Sequence, residues 1–177
     1  MTLSEHAVRV KARMEALSTL KSSVTTKIDI DIFNVGQNEM FRQLGGSNFG
    51  SYVAMFPVNS YDPEDEFYTL KDGQRKLRML ETAEAYFCLY FLALKIKEMV
   101  DKRGFDKVMN IGDGKLTPVE IDGFIDMRHQ YYNLALKLIR QYTDTGNINF
   151  ITPFNDNMGV FGIGEISDIP ENGRKDF

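Results

Sequence analysis

Apolar positions recur at helical spacing over most of this chain. Leu3, Ala7, Val10, Met14 and Leu17 follow one another at intervals of four and three, with Glu5, Arg9, Arg13 and Glu15 mostly off that stripe. Thr2 and Glu5 fit a capping box, so the spacing predicts a first helix ending near Ser22–Ser23. The period then changes. In "TTKIDIDIF", Ile28, Ile30 and Ile32 alternate with Lys27, Asp29 and Asp31, as in a short half-buried strand, although "DIFNVGQNEMFRQL" also reads as helix. Gly45–Gly46 is a stop, and "SNFGSYVAMFPVNSY" is loop or strand.

"YDPEDEF" carries helix-start chemistry. Asp62 is placed to cap, Pro63 suits the first position, and Glu64, Asp65 and Glu66 complement the positive helix end. A break is expected at Asp72–Gly73. The strongest helix is predicted from about Gln74 to Lys102, with Gly104 as its stop. Leu77, Leu80, Glu84, Phe87, Phe91 and Leu94 mark one face, and Tyr86, Tyr90 and Ala93 widen it until the middle is apolar almost all round. Such a helix belongs at the centre of a bundle or under neighbouring subunits. In "TPVE", Thr117 as cap, Pro118 at the first position and Glu120 at the third predict another capping box. Ile121, Phe124, Ile125, Tyr131, Tyr132, Ala135, Leu138 and Tyr142 keep helical period to about Thr143. The expected fold is mainly α, a small helical bundle with a short strand segment. It divides into a body, 1–143, and an extended C-terminal arm, 144–177.

The arm changes the picture. "GNINFITPFNDNMGVFGIGEISDIPENGRKDF" holds five Gly, five Asn and two Pro, which suit irregular chain, yet also four Phe and five Ile. Disordered tails are usually poor in such residues. Ile148 and Phe150 share one face, Phe161 and Ile163 another, with turn chemistry in "PFNDNMG" between them. Thirty-two residues are too few for a core of their own, so these side chains need the body or another subunit. Ile148, Phe150, Phe154, Phe161 and Ile163 are the expected interaction anchors. Five acids against Arg174 and Lys175 give the arm a charge of -3 out of the chain's -4, so the acidic end from Glu165 to Asp176 is expected at a wetter rim or facing a basic partner.

Composition excludes some classes. The chain's 177 residues suit one domain with a proper core. A net charge of -4 argues against specific nucleic-acid binding. The longest apolar run, Ala85–Leu94, is about half a bilayer span, and no apolar leader is visible after Met1, so a cytoplasmic, non-membrane chain is expected. The one cysteine, Cys88, sits in that apolar run and reads as a buried small hydrophobe.

Candidate chemistry is sparse. "DGKLTPVE" resembles the end of a calcium loop, with Asp113, Gly114, Leu116 and Glu120 in register, but Met109 and Ile111 stand where the first two ligands belong. A turn before a capped helix explains the same letters. Asp29 and Asp31 share a side of the expected strand and read as a solvated face. His6 and His129 read as surface or interface residues, with Asp126 three residues before His129. Glu81 and Glu84 lie on one helix face, but no Glu-x-x-His motif completes a metal bundle. "GVFGIG" lacks the helix and Lys-Ser/Thr of a phosphate loop. No cofactor, metal or catalytic set is expected.

The paired helices "RKLRMLETAEAYFCLYFLALKIKEMV" and "PVEIDGFIDMRHQYYNLALKLIRQY", followed by "INFITPFNDNMGVFGIG", resemble the head-to-tail connectors of tailed bacteriophages, the portal adaptors or head-completion proteins. The resemblance is one of layout. It implies helical bundles stacked into a homo-oligomeric ring that joins portal and tail proteins in the virion, assembled in the host cytoplasm, with a C-terminal segment reaching along the portal or a neighbour. "KIDIDIF" and residues 45–61 depart from the simplest helical adaptors. The alternative is a small helical binding or regulatory protein, calcium-dependent through 106–120. An enzyme built on a metal bundle ranks third.

Overall fold

The computed structural model of the chain describes residues 4–20, 30–56, 58–105 and 116–145. They form α1 (Glu5–Leu17), α2 (Ile30–Leu44), α3 (Gly46–Met55), a 3-10 turn (Phe67–Thr69), α4 (Asp72–Arg103), α5 (Pro118–Asp126) and α6 (Arg128–Thr145). No strand occurs among the described residues, and the fold is mainly α. The arm, with Ile148, Phe150, Phe154, Phe161 and Ile163, lies outside the described residues, as do residues 106–115, which hold Asp113 and Gly114 of the calcium-loop comparison.

α4 is the axis. Its 32 residues make a rod about 48 Å long, and it touches each of the other five described helices. That explains a sequence without a single apolar stripe. Leu77, Leu80, Ala83, Phe87, Leu89 and Ala93 are all buried, though they point in different directions around the helix. Gln74 Oε1 accepts from the Lys71 N–H at 3.0 Å at its start, and Gly104, at φ 76, turns the chain out at its end. Asp72 and Gly73 open this helix rather than break the chain before it.

Cys88 is fully buried, as its surroundings in sequence imply. α2 crosses α4 closely at this point. Gly36 of α2 faces Cys88, and a Cβ at Gly36 would collide with the Cys88 Sγ. Gly36→Ala is therefore expected to destabilise by about 1–3 kcal/mol through overpacking, and Gly36→Ala with Cys88→Ala to recover most of that loss. Equal melting of wild type and Gly36→Ala would contradict the close crossing.

Several local expectations differ from what is seen, among them the helix expected from Thr117 to about Thr143, which is divided at Met127 into α5 and α6. Ile30 and Ile32 belong to α2, not to a strand, and Ile28 lies outside the described residues. Ile32, Phe33, Gly36, Met40 and Leu44 make a helical buried stripe that runs to the end of α2, and this longer pattern prevails over the alternation of residues 27–32. Residues 46–55 are helical too. Gly45, at φ 77, ends α2, and the chain re-enters helix at once. The "DPEDEF" stretch makes only a turn, with Asp62 Oδ1 accepting from the Glu64 N–H at 3.0 Å, before the 3-10 turn. α1 is capped by Ser4, whose hydroxyl accepts from the Ala7 N–H, not by Thr2, and it ends at Leu17. The capping box at Thr117, Pro118 and Glu120 forms as the sequence implies.

Candidate functional site

The most concentrated polar chemistry among the described residues lies inside the bundle, between α1, α3, the segment after α3, and α4. Glu81 and Glu84 sit one turn apart on α4 and are 0 % and 1 % exposed. Uncompensated carboxylates at such depth are costly. Each is met by one cation and one phenol.

At Glu84, His6 Nε2 lies 2.7 Å from Oε2, and the Tyr52 hydroxyl donates to the same oxygen at 2.6 Å. At Glu81, Arg9 donates from Nε to Oε1 at 2.7 Å and from Nη2 to Oε2 at 3.4 Å, and the Tyr61 hydroxyl donates to Oε2. The Arg9 guanidinium lies 5.0 Å from the Phe56 ring centre and 4.6 Å from that of Tyr61. His6 meets the rings of Tyr52 and Phe56 edge-on, at 5.5 and 4.7 Å. α1 runs antiparallel to α4 here, because His6 pairs with Glu84 and the later Arg9 with the earlier Glu81.

Two clefts flank α1. One, of about 290 Å³, opens between α1 and α2 over His6 and Glu84. The other, of about 390 Å³, opens between α1 and residues 61–64 over Arg9, Tyr61 and Glu81. Each carboxylate thus lies at the base of a cleft but spends its accepting capacity inside the protein.

Electrostatics fits an internal clamp. Burial alone would lower the His6 pKa. The hydrogen bond to Glu84 and the charges of Glu84 and Glu81 outweigh burial and the repulsion from Arg9, and hold it above 6.5. Arg9 is raised in the same way, burial opposing and Glu81 prevailing. Burial, then the neighbouring carboxylates, push Tyr52 and Tyr61 up, so both phenols remain donors. His6 protonation therefore stabilises the fold fully below pH 6.5, and the contribution fades as pH rises through the higher folded-state value. His6→Gln is expected to flatten the fall in stability on the alkaline side of 6.5, as read by urea melts across pH. An unchanged slope would show that His6 is not the titrating contact.

The cluster's capacity for chemistry is limited by these same contacts. Cys88 lies one turn beyond Glu84 on α4, but burial, then the Glu84 charge, push its thiol well above the ordinary range. No group of three or more His, Cys, Asp or Glu side chains among the described residues is arranged to hold a metal ion.

A second polar lock joins α2 to α6. Glu39 accepts from Arg42 at 2.9 and 2.6 Å, from Gln43 at 2.8 Å and from the Tyr132 hydroxyl at 2.7 Å. Burial would raise its pKa, but these donors bring it down to about 2.

The expected sites fall out unevenly. His6 is not a surface histidine but part of the buried cluster, and Arg13, expected off the apolar stripe, is buried. His129 and Asp126 are exposed, as is Asp31 on the first turn of α2. Glu120 Oε2 accepts from the Thr117 N–H at 2.7 Å and from its hydroxyl at 2.9 Å, so capping occupies the carboxylate that a calcium loop would need. Arg9, Tyr52 and Tyr61 were not singled out by sequence. The available signal was two carboxylates set in an apolar helix, which demand partners, and the His6, Arg9, Arg13 stripe at spacings of three and four. Comparison with protein-family models, with curated proteins and with solved structures finds no match for this chain.

Proposed function

We propose that this chain is a non-enzymatic structural subunit that forms a homo-oligomeric ring, with its C-terminal arm clasping another subunit. The observation that carries this reading is an arm of 32 residues rich in Phe and Ile, attached to a body whose described helices already pack around one continuous core. Apolar side chains on a chain that cannot build a core need a surface to cover. The polar cluster supports the same reading, because its carboxylates are tied to cations and phenols of the same chain and pin α1 onto α4.

The specific form of this proposal is a head-tail adaptor of a tailed bacteriophage, a virion component whose ring joins the portal to the tail. It rests on the layout of α4 and the α5–α6 pair, followed by a segment rich in Phe and Ile. Light scattering on the purified full chain tests the first step. The expected result is a discrete multiple of 20.3 kDa, with an annular outline in negative stain. A 20.3 kDa monomer at high micromolar concentration would overturn it.

A further inference from the structure

The two longest uncharged stretches of the chain are residues 43–61 and 145–155. The first contains α3, and α3 is on the surface. Of its ten residues only Tyr52 is buried, where it reaches Glu84. The solvent side holds Gly50, Val53 and Ala54 beside the uncharged Ser47, Asn48 and Ser51, and is bordered by half-buried Phe49 and by Phe41 of α2, with Phe41 53% and Val53 48% exposed. Phe41 and Phe49 meet edge-on at 5.4 Å. A solvated helix normally carries charge opposite its buried face. This one carries none, and depletion of charge is the mark of an interface centre.

Gly50 adds an independent point. It lies inside the helix, where glycine is unfavourable. A Cβ there would meet nothing within 4 Å among the described residues, so packing among them does not require the glycine. Close approach from outside would.

We infer that the exposed face of α3 seats the first part of the arm, residues 146–155, of a second copy of this chain. The inference rests on the ring reading above and names its contact. The segment "GNINFITPFN" matches the seat, being uncharged with Ile148, Phe150 and Phe154 as side chains to bury. Length permits it. α6 touches α2 beside α3 through Tyr132 and ends 13 residues on, about 20 Å along its axis. The ten residues 146–155 reach up to about 35 Å when extended, enough to cross to a neighbour. The acidic remainder of the arm would continue past the α3 face towards solvent.

The test uses two full-length chains, Val53→Cys and Phe150→Cys, mixed under mild oxidation. Cys88 is buried and remains out of the reaction. The expected product is a disulfide between the two different chains, in several-fold excess over either homodimer. Val53→Glu should lower the oligomer's apparent affinity at least tenfold while leaving the melting curve of the body in place. A Val53–Val53 homodimer as the main product would make α3 its own partner and overturn the inference. So would an intrachain disulfide alone in the doubly substituted chain, or no disulfide at all. Light scattering on the unsubstituted chain separates the two readings. An oligomer without the mixed disulfide moves the contact elsewhere and leaves the ring standing, whereas a monomer removes both.

Discussion

Replacing Glu84 by Ala is expected to cost about 3–5 kcal/mol of stability, the range for removing one partner of a buried ion pair. The loss has two sources. The protonated His6 imidazole would keep its place beside α4 without its anion, and the buried Tyr52 hydroxyl would lose its acceptor. Glu84→Gln should cost less, because the amide oxygen can still accept from Tyr52. It should also return the His6 pKa towards 6.5, since the Glu84 hydrogen bond and charge are the leading causes that raise it. Urea melts of the three chains at pH 6 measure this directly. A loss below about 1 kcal/mol for Glu84→Ala would show that the cluster does not hold α1.

The second large effect lies along α4. Phe87→Ala should cost about 3–5 kcal/mol, since Phe87 is fully buried with its ring 5.3 Å from that of Tyr132. Phe91 shares its stripe in the sequence but is only partly buried, so Phe91→Ala should cost clearly less. The pair reads how far the core extends along the axis. Equal losses would place Phe91 as deep as Phe87, and near-normal stability for both would remove α4 from the centre.

The helical architecture was largely legible because its signals are long or chemically explicit. The apolar belt at 85–94 located the central helix, Gly104 its end, and Thr117, Pro118 and Glu120 the start of α5. Errors arose where a short pattern competed with a longer one. The alternation over residues 27–32 reads as strand, but the buried stripe from Ile32 to Leu44 decides the conformation of its described residues, 30–32. At Asp62–Glu66 the capping chemistry is real, yet no apolar period follows to pay for a helix, and only a turn forms. The polar cluster was half legible. Glu81 and Glu84 were seen as one helix face, but their partners come from 72 and 78 residues away on α1, and from Tyr52 and Tyr61 between. Contacts of such separation leave no periodic trace in one sequence. Hence His6 read as a surface or interface histidine.

The most direct test of the proposed role is deletion of residues 146–177, with far-ultraviolet dichroism and light scattering on the same sample. The clasp predicts a body that stays folded and helical with its thermal transition retained, but that no longer forms the full chain's oligomer. A truncated chain that unfolds as an isolated monomer would assign the arm to its own core, and one that assembles as before would leave its Phe and Ile residues without the role given to them here.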